Sequence, residues 1–311
     1  MLRLIAWRLP QIALTLAILS LLAYLAIGAM PGDPISLAIM ADPRLGPEDA
    51  ARLRALHGLD QPVLSRWAAW AGGVLHGEFG YSRLYARPAV EMLGPALRGS
   101  LILLGTALAL AAGLGVASGM LAALRPRWRG PVDGLALVSQ ALPSFWLGIL
   151  LIIVFAVTLG WLPAGGSAEE GGWEAARFLI LPVVTLAITH LAAYARHTAA
   201  AMAEVLRAPW ITAGRARGAG EARIAFRHAL PNASVPLLSL IALDAGALVS
   251  GALITETVFA RPGMGKLLTD AVMGNDYNLA LLALMLVAAV TMLATLAADL
   301  AQRALDPRLA A

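Results

Sequence analysis

Six apolar runs recur along the chain, at residues 10–30, 100–124, 134–161, 178–195, 235–255 and 278–298, and Asp244 is the one Asp, Glu, Lys or Arg among them. A helix needs about 20 predominantly apolar residues to cross a bilayer. Runs of this length dictate an all-α polytopic membrane protein with six transmembrane helices. Composition agrees: 59% of residues are hydrophobic and 14% charged, against about 25% charged in an ordinary soluble domain. The length of 311 residues goes into these spans and the segments joining them rather than into a large soluble core, so no separate nucleotide-binding domain is expected. Cysteine is absent, which removes disulfides, thiolate catalysis and cysteine metal sites.

The segments between the runs differ in character. Arg3 and Arg8 precede the first run, which is longer than a signal-peptide core and ends at Pro31 and Pro34; it is expected to be retained as helix 1, over residues 1–30. Residues 31–98 form an external insertion between helices 1 and 2, with helices expected over 48–57 and from 59 to about 75. Gly115 and Gly119 make a G-x-x-x-G pair suited to close helix packing. Pro143 falls inside the third run and predicts a kink there. His190 lies within the fourth and shortest run, where an intramembrane histidine serves either ligand or proton chemistry or hydrogen-bonded packing. Asp244, in the fifth, requires a partner, water or a passage, because an unpaired buried carboxylate costs several kcal/mol.

One polar segment, residues 208–236, carries Arg215, Arg217, Arg223 and Arg227 between two apolar runs and must lie outside the hydrocarbon. Its pattern allows two short helices, 211–218 and 221–230, joined at Gly218-Ala219-Gly220, where glycine supplies a sharp turn.

The spacing of Thr212-Ala213-Gly214, Gly218 and Leu230-Pro231 resembles the coupling loop of ATP-binding-cassette importer permeases. Further wording is similar to their dipeptide/oligopeptide/nickel branch and, within it, to the first of the paired permeases: Arg215 with Arg217, Phe226-Arg227-His228, Met30-Pro31-Gly32-Asp33-Pro34, Leu59-Asp60-Gln61-Pro62, Gly80-Tyr81-Ser82, Phe259-Ala260-Arg261-Pro262-Gly263 and Leu305-Asp306-Pro307. The resemblance covers almost the whole chain in order. It implies a permease core over residues 99–304, a cytoplasmic tail over 305–311 and a loop that docks on an ATPase through Thr212, Ala213, Gly214, Arg215, Arg217, Gly218, Arg227, Leu230 and Pro231. The family's glutamate position is Thr212 here, so no carboxylate contact to the ATPase is carried over. Asp244, Ser250, Glu256, Arg261 and Gly263 become candidates for the passage or its outer gate. The external scoop, with Asp33, Asp60, Gln61 and Tyr81, either meets a binding protein and the substrate path or only spaces two helices.

Arginines concentrate at both ends of the chain, at 125–129 and around the elbow, which places the termini and the elbow in the cytoplasm. The resemblance implies import of dipeptides or oligopeptides across a prokaryotic inner membrane by alternating access. Its partners would be a second permease, two ATPase subunits or one heterodimer, an extracytoplasmic binding protein and the bilayer. ATP and Mg2+ would belong to the ATPases; this chain would bind no cofactor, metal or nucleic acid and catalyse no reaction. The alternatives are import of nickel or another chelate by the same architecture and, further off, an ATP-independent secondary transporter or channel. An intramembrane protease is excluded: the chain has no H-E-x-x-H, no G-x-S-x-G and no second intramembrane aspartate.

Overall fold

The computed structural model describes residues 2–28, 61–168 and 171–305. Asp33, Asp60 and the helix expected over 48–57 lie outside them. Two compact units emerge. One holds Leu97–Lys266 and Val290–Ala311 with the first two residues; the other holds Arg3–Ala96 and Leu267–Ala289. The elements in order are α1 (Leu2–Gly28), α2 (Val63–Leu75), β1 (Tyr81–Ser82), β2 (Arg87–Pro88), α3 (Ala89–Leu124), α4 (Arg129–Ala141), α5 (Ser144–Leu151), α6 (Trp173–Leu206), α7 (Pro209–Ala216), α8 (Glu221–Arg223), α9 (Leu230–Val258), α10 (Met264–Met273) and α11 (Tyr277–Leu305). Apart from the antiparallel hairpin pairing Tyr81 with Pro88, the described elements are helical.

Among the described residues four helices are long and apolar enough to cross a membrane, α1, α3, α6 and α11, or five spans if the bent α4–α5 pair counts as one.

In the first unit α6 is the central element, packed against α4, α5 and α9. Ala111, Ala187, Tyr194 and Leu237 form a buried cluster joining α3, α6 and α9. The G-x-x-x-G pair performs the expected packing. A methyl group on Gly115 would stand 2.6 Å from Tyr194 Cβ, and one on Gly119 would stand 2.3 Å from the Ala195 carbonyl oxygen. Small residues here let two helix backbones touch where side chains would hold them apart.

In the other unit α2 meets α1 through indoles that need a partner for their N–H. Trp67 Nε1–H donates to Ser20 Oγ at 3.1 Å, and the Trp70 ring lies 6.2 Å from that of Tyr24. Asp276 caps α11 by accepting from the Leu279 N–H at 3.2 Å, while its second oxygen accepts from Ser82 Oγ and the Leu84 N–H. One buried carboxylate thus ties the hairpin to the start of α11.

Three local expectations are corrected. Residues 134–161 do not make one kinked helix: α4 and the helix starting at Ser144 meet at 102°. Leu142 before the proline is extended, φ −92° and ψ 124°, because the proline ring disfavours helical geometry in the residue preceding it. The fourth span is not short, since α6 runs for 34 residues. Arg196, His197 and Glu204 end the apolar run but interrupt no backbone hydrogen bond. Finally, α3 starts at Ala89, inside the segment assigned to the insertion.

Candidate functional site

The arginine segment folds as an elbow whose shape is set locally. Pro209 opens α7 at its first position, where a missing N–H costs nothing. The helix closes on Gly218 at φ +85°. There the Gly218 N–H donates to the Arg215 carbonyl at 2.9 Å and the Ala219 N–H to the Gly214 carbonyl at 3.1 Å. These two bonds are the Schellman closure, which requires a left-handed residue at the glycine. Across the turn Arg215 grips Glu221 with two bonds, Nε–H to Oε1 at 2.8 Å and Nη2–H to Oε2 at 3.1 Å. The hydrogen bonds from Arg215 hold the Glu221 carboxyl below its usual range.

The second arm departs from the expected 221–230 helix. The single turn α8 passes into a π-helical stretch, Ile224–Ala229, which continues without a break into α9. The wider turn immediately precedes Pro231, which has no N–H to give. One face of the elbow is buried, with Ile211, Ile224, Ala225 and Ala229 each at most 1% exposed. Met202, Ala229 and Ala233 pack with Met120 and Val205, fixing the elbow on the ends of α3 and α6. The other face is open and presents Thr212, Ala213, Arg215, Arg217, Gly218, Arg227 and Pro231; Gly214 and Leu230 are half-buried. Trp210 and Phe226 stand exposed on it at 45% and 60%. Because the elbow links α6 to α9, a displacement of it is passed to both.

Those two helices also carry the mid-span polar groups. Asp244 and His190 were each without an evident partner in sequence; the fold puts Asp244 Oδ2 3.6 Å from His190 Nδ1, with both side chains about a quarter exposed. Buried Tyr194, one turn beyond His190, lies within the electrostatic reach of Asp244, and its hydroxyl has no partner of good geometry. Its ring stacks near His190, centroids 6.4 Å apart. Ser250 lies in α9, and its side chain is outside the described residues.

At the far end of α9, Glu256 is fully buried. Its carboxylate accepts from Ser100 Oγ, from the Gly265 N–H at 2.7 Å and from the Lys266 N–H at 3.4 Å, while the Met264 N–H donates to Ser100 Oγ at 2.8 Å. The acid therefore caps the first turn of α10. Gly263 cannot carry a side chain, since a methyl there would meet the Glu256 carboxylate at 2.3 Å. Arg261 is nearly buried beside the same carboxylate, and its Nε has no hydrogen-bond partner. Three of the candidate gate residues, Glu256, Arg261 and Gly263, thus form one cluster, and Ser100 is the member that sequence reasoning missed. In the other unit Tyr81 is 72% exposed, and exposed Gln61 accepts from Ser65 Oγ at 3.4 Å.

The profile of the family described as "Binding-protein-dependent transport system inner membrane component" matches residues 113–311. The chain belongs to this family. It is a multi-pass inner-membrane permease component. It is 35% identical to the di/tripeptide transport system permease protein DppB of Pseudomonas aeruginosa, covering 99% of each chain. It is 34% identical to the oligopeptide transport system permease protein OppB of Salmonella typhimurium, again over 99% of each. With the oligopeptide transport system permease protein AppB of Bacillus subtilis it shares 31% identity over 94% of each. Among solved structures, a chain of the MetNI methionine ABC transporter in an inward-facing conformation superposes with a TM-score of 0.58 at 21% identity, over 70% of this chain and 98% of that one. That likeness establishes the fold of this permease.

Proposed function

We propose that this permease is one of two transmembrane subunits of an ATP-driven importer that carries dipeptides and oligopeptides into the cytoplasm. The observation that carries this reading is end-to-end similarity to peptide permeases. Six spans follow if the α4–α5 pair and α9 are counted with the four helices above. Residues 1–30 are then the first span, 31–98 the external scoop that receives the binding protein, 99–304 the permease core and 305–311 a cytoplasmic tail. Both termini and the 208–236 elbow face the cytoplasm, where arginine is in excess.

The elbow's build supports a docking role. A rigid turn with an open, arginine-rich and aromatic face suits insertion into a groove of an ATPase subunit, and its buried face is seated on α3 and α6. Closure of two ATPases on ATP and Mg2+ displaces the elbow, and α6 and α9 move with it. The energy enters through unequal affinity of the ATPase contact for the two conformations. Glu256, Arg261 and Gly263 hold the outer segment closed. Asp244 and Ser250 border the passage. This subunit has no ATP site of its own and contributes half of the passage.

The reading is tested by ATP hydrolysis in lipid by the complex of this chain with its second permease and ATPases. Binding protein plus a dipeptide mixture is expected to stimulate hydrolysis and to drive peptide uptake. Stimulation by a nickel chelate with no response to peptides would overturn the cargo assignment.

A further inference from the structure

Asp244, His190 and Tyr194 form a polar site inside otherwise apolar packing. Asp244 lies 14 residues beyond the start of α9, roughly 21 Å along it at 1.5 Å per residue, deep in the span. Tyr194 belongs to a hydrophobic cluster with Ala111, Ala187 and Leu237, against which Leu240 and Ile241 pack. The contacts within the triad are incomplete. At 3.6 Å the His190–Asp244 approach is longer than a hydrogen bond, and the wholly buried Tyr194 hydroxyl reaches Asp244 without a hydrogen bond of good geometry. A buried hydroxyl held in a poorly formed hydrogen bond costs free energy that a ligand completing the cluster can restore.

The available atoms define that ligand. A carboxylate, a phenol oxygen and an imidazole ring nitrogen are three groups that can each accept a hydrogen bond. A primary ammonium group brings three donors and one positive charge. A bound metal ion fits less well, because among the described residues no group of three His, Cys, Asp or Glu side chains converges. We propose that Asp244, with His190 and Tyr194, is a binding site for the protonated amino group of the passing substrate. This rests on the peptide-importer reading, and it adds a contact inside the membrane to the recognition made by the binding protein. The site straddles α6 and α9, the two helices joined by the elbow, so elbow movement changes the distance between its halves and with it the hold on the amine.

The test uses the assembled transporter in nanodiscs free of ethanolamine lipids and without binding protein, so that the permease alone is probed. Saturation-transfer NMR compares Ala-Phe with N-acetyl-Ala-Phe. Wild type is expected to bind the free amine roughly tenfold more tightly, the scale of one hydrogen-bonded charge. Asp244→Asn should reduce Ala-Phe binding to the level of the acetylated peptide, and Tyr194→Phe should weaken it severalfold. Equal binding of both peptides by wild type, or an unchanged preference in both variants, overturns the proposal. Should Asp244→Asn fail to assemble, Tyr194→Phe decides by itself, since it removes one oxygen that makes no hydrogen bond of good geometry and leaves the carboxylate in place. Displacement of Ala-Phe by added ethanolamine-headgroup lipid would assign the site to lipid and overturn the substrate role. Uptake of Ala-Phe by wild type with binding protein is measured in parallel; its absence defeats the peptide reading itself, whereas uptake without amine preference defeats only the site.

Discussion

Replacing Gly218 by alanine adds one methyl group to a residue held at φ +85°, with no atom within 4 Å of where that methyl would go. There is no clash to relieve, so the effect is confined to the backbone. A non-glycine residue in left-handed geometry costs about 1–2 kcal/mol. The Schellman bonds to Arg215 and Gly214 depend on that geometry, so alanine pushes the elbow toward open forms. The open-to-closed ratio rises roughly 5–30-fold for that energy, and if the ATPase accepts only the closed elbow, its apparent affinity falls with the closed population, by up to that factor. Asparagine visits the left-handed region more readily and should cost less; valine, β-branched, should cost most. The assay titrates purified ATPase subunits against permease pairs in nanodiscs and reads ATP hydrolysis against ATPase concentration. The half-saturating concentration should rise in the order Gly, Asn, Ala, Val, with little change in the plateau. An alanine variant matching wild type, or the three substitutions behaving alike, would refute the link between turn geometry and docking.

Gly119→Val should lower the thermal midpoint of the purified complex by several degrees, because its Cβ falls 2.3 Å from the Ala195 carbonyl oxygen and overpacking costs about 1–3 kcal/mol. Gly113→Ala, in the same helix with nothing within 4 Å, is the control expected to leave the midpoint unchanged. Glu256→Gln keeps the shape but turns an amide donor toward a cluster of N–H and O–H donors, and should cost about 1.5–3 kcal/mol in thermal or denaturant unfolding; a variant as stable as wild type would show that the carboxylate does not cap α10. For the Arg215–Glu221 bridge the sign is that of a depressed acid: its stabilisation is fully present above the unfolded glutamate value and is lost as pH falls through the lowered folded value. The stability difference between wild type and Glu221→Gln should accordingly be constant from pH 7 to 5, begin to fall near the ordinary glutamate value of about 4.3 and be gone below the lowered folded value, and a difference that fades by pH 6 would contradict the paired geometry.

Much of the architecture was legible because its signals are local. The apolar runs marked where helices would be, and Gly115 with Gly119 marked a close contact that the structure places between α3 and α6. The turn at Gly218 followed from glycine between two short helical patterns. Helix ends were less legible, because an apolar window measures the hydrocarbon rather than the backbone. Thus α6 continues past Arg196 and His197 to Leu206, and the elbow's second arm passes through a π turn into α9 instead of stopping at Leu230. At Pro143 the local signal was present but underweighted: the residue before a proline favours extended geometry, and Leu142 adopts it.

The sequence by itself determined that this chain lives in a membrane, where its helices run and which segment bears the arginines, since hydropathy, charge and turn chemistry act over a few residues. Only the tertiary structure decided which polar groups meet. Asp244 finds His190 on another helix, and Glu256 finds Ser100 at a separation of 156 residues. Such pairs depend on how each helix is rotated and how closely its small residues let it approach a neighbour, and neither quantity is written in any single stretch of the chain.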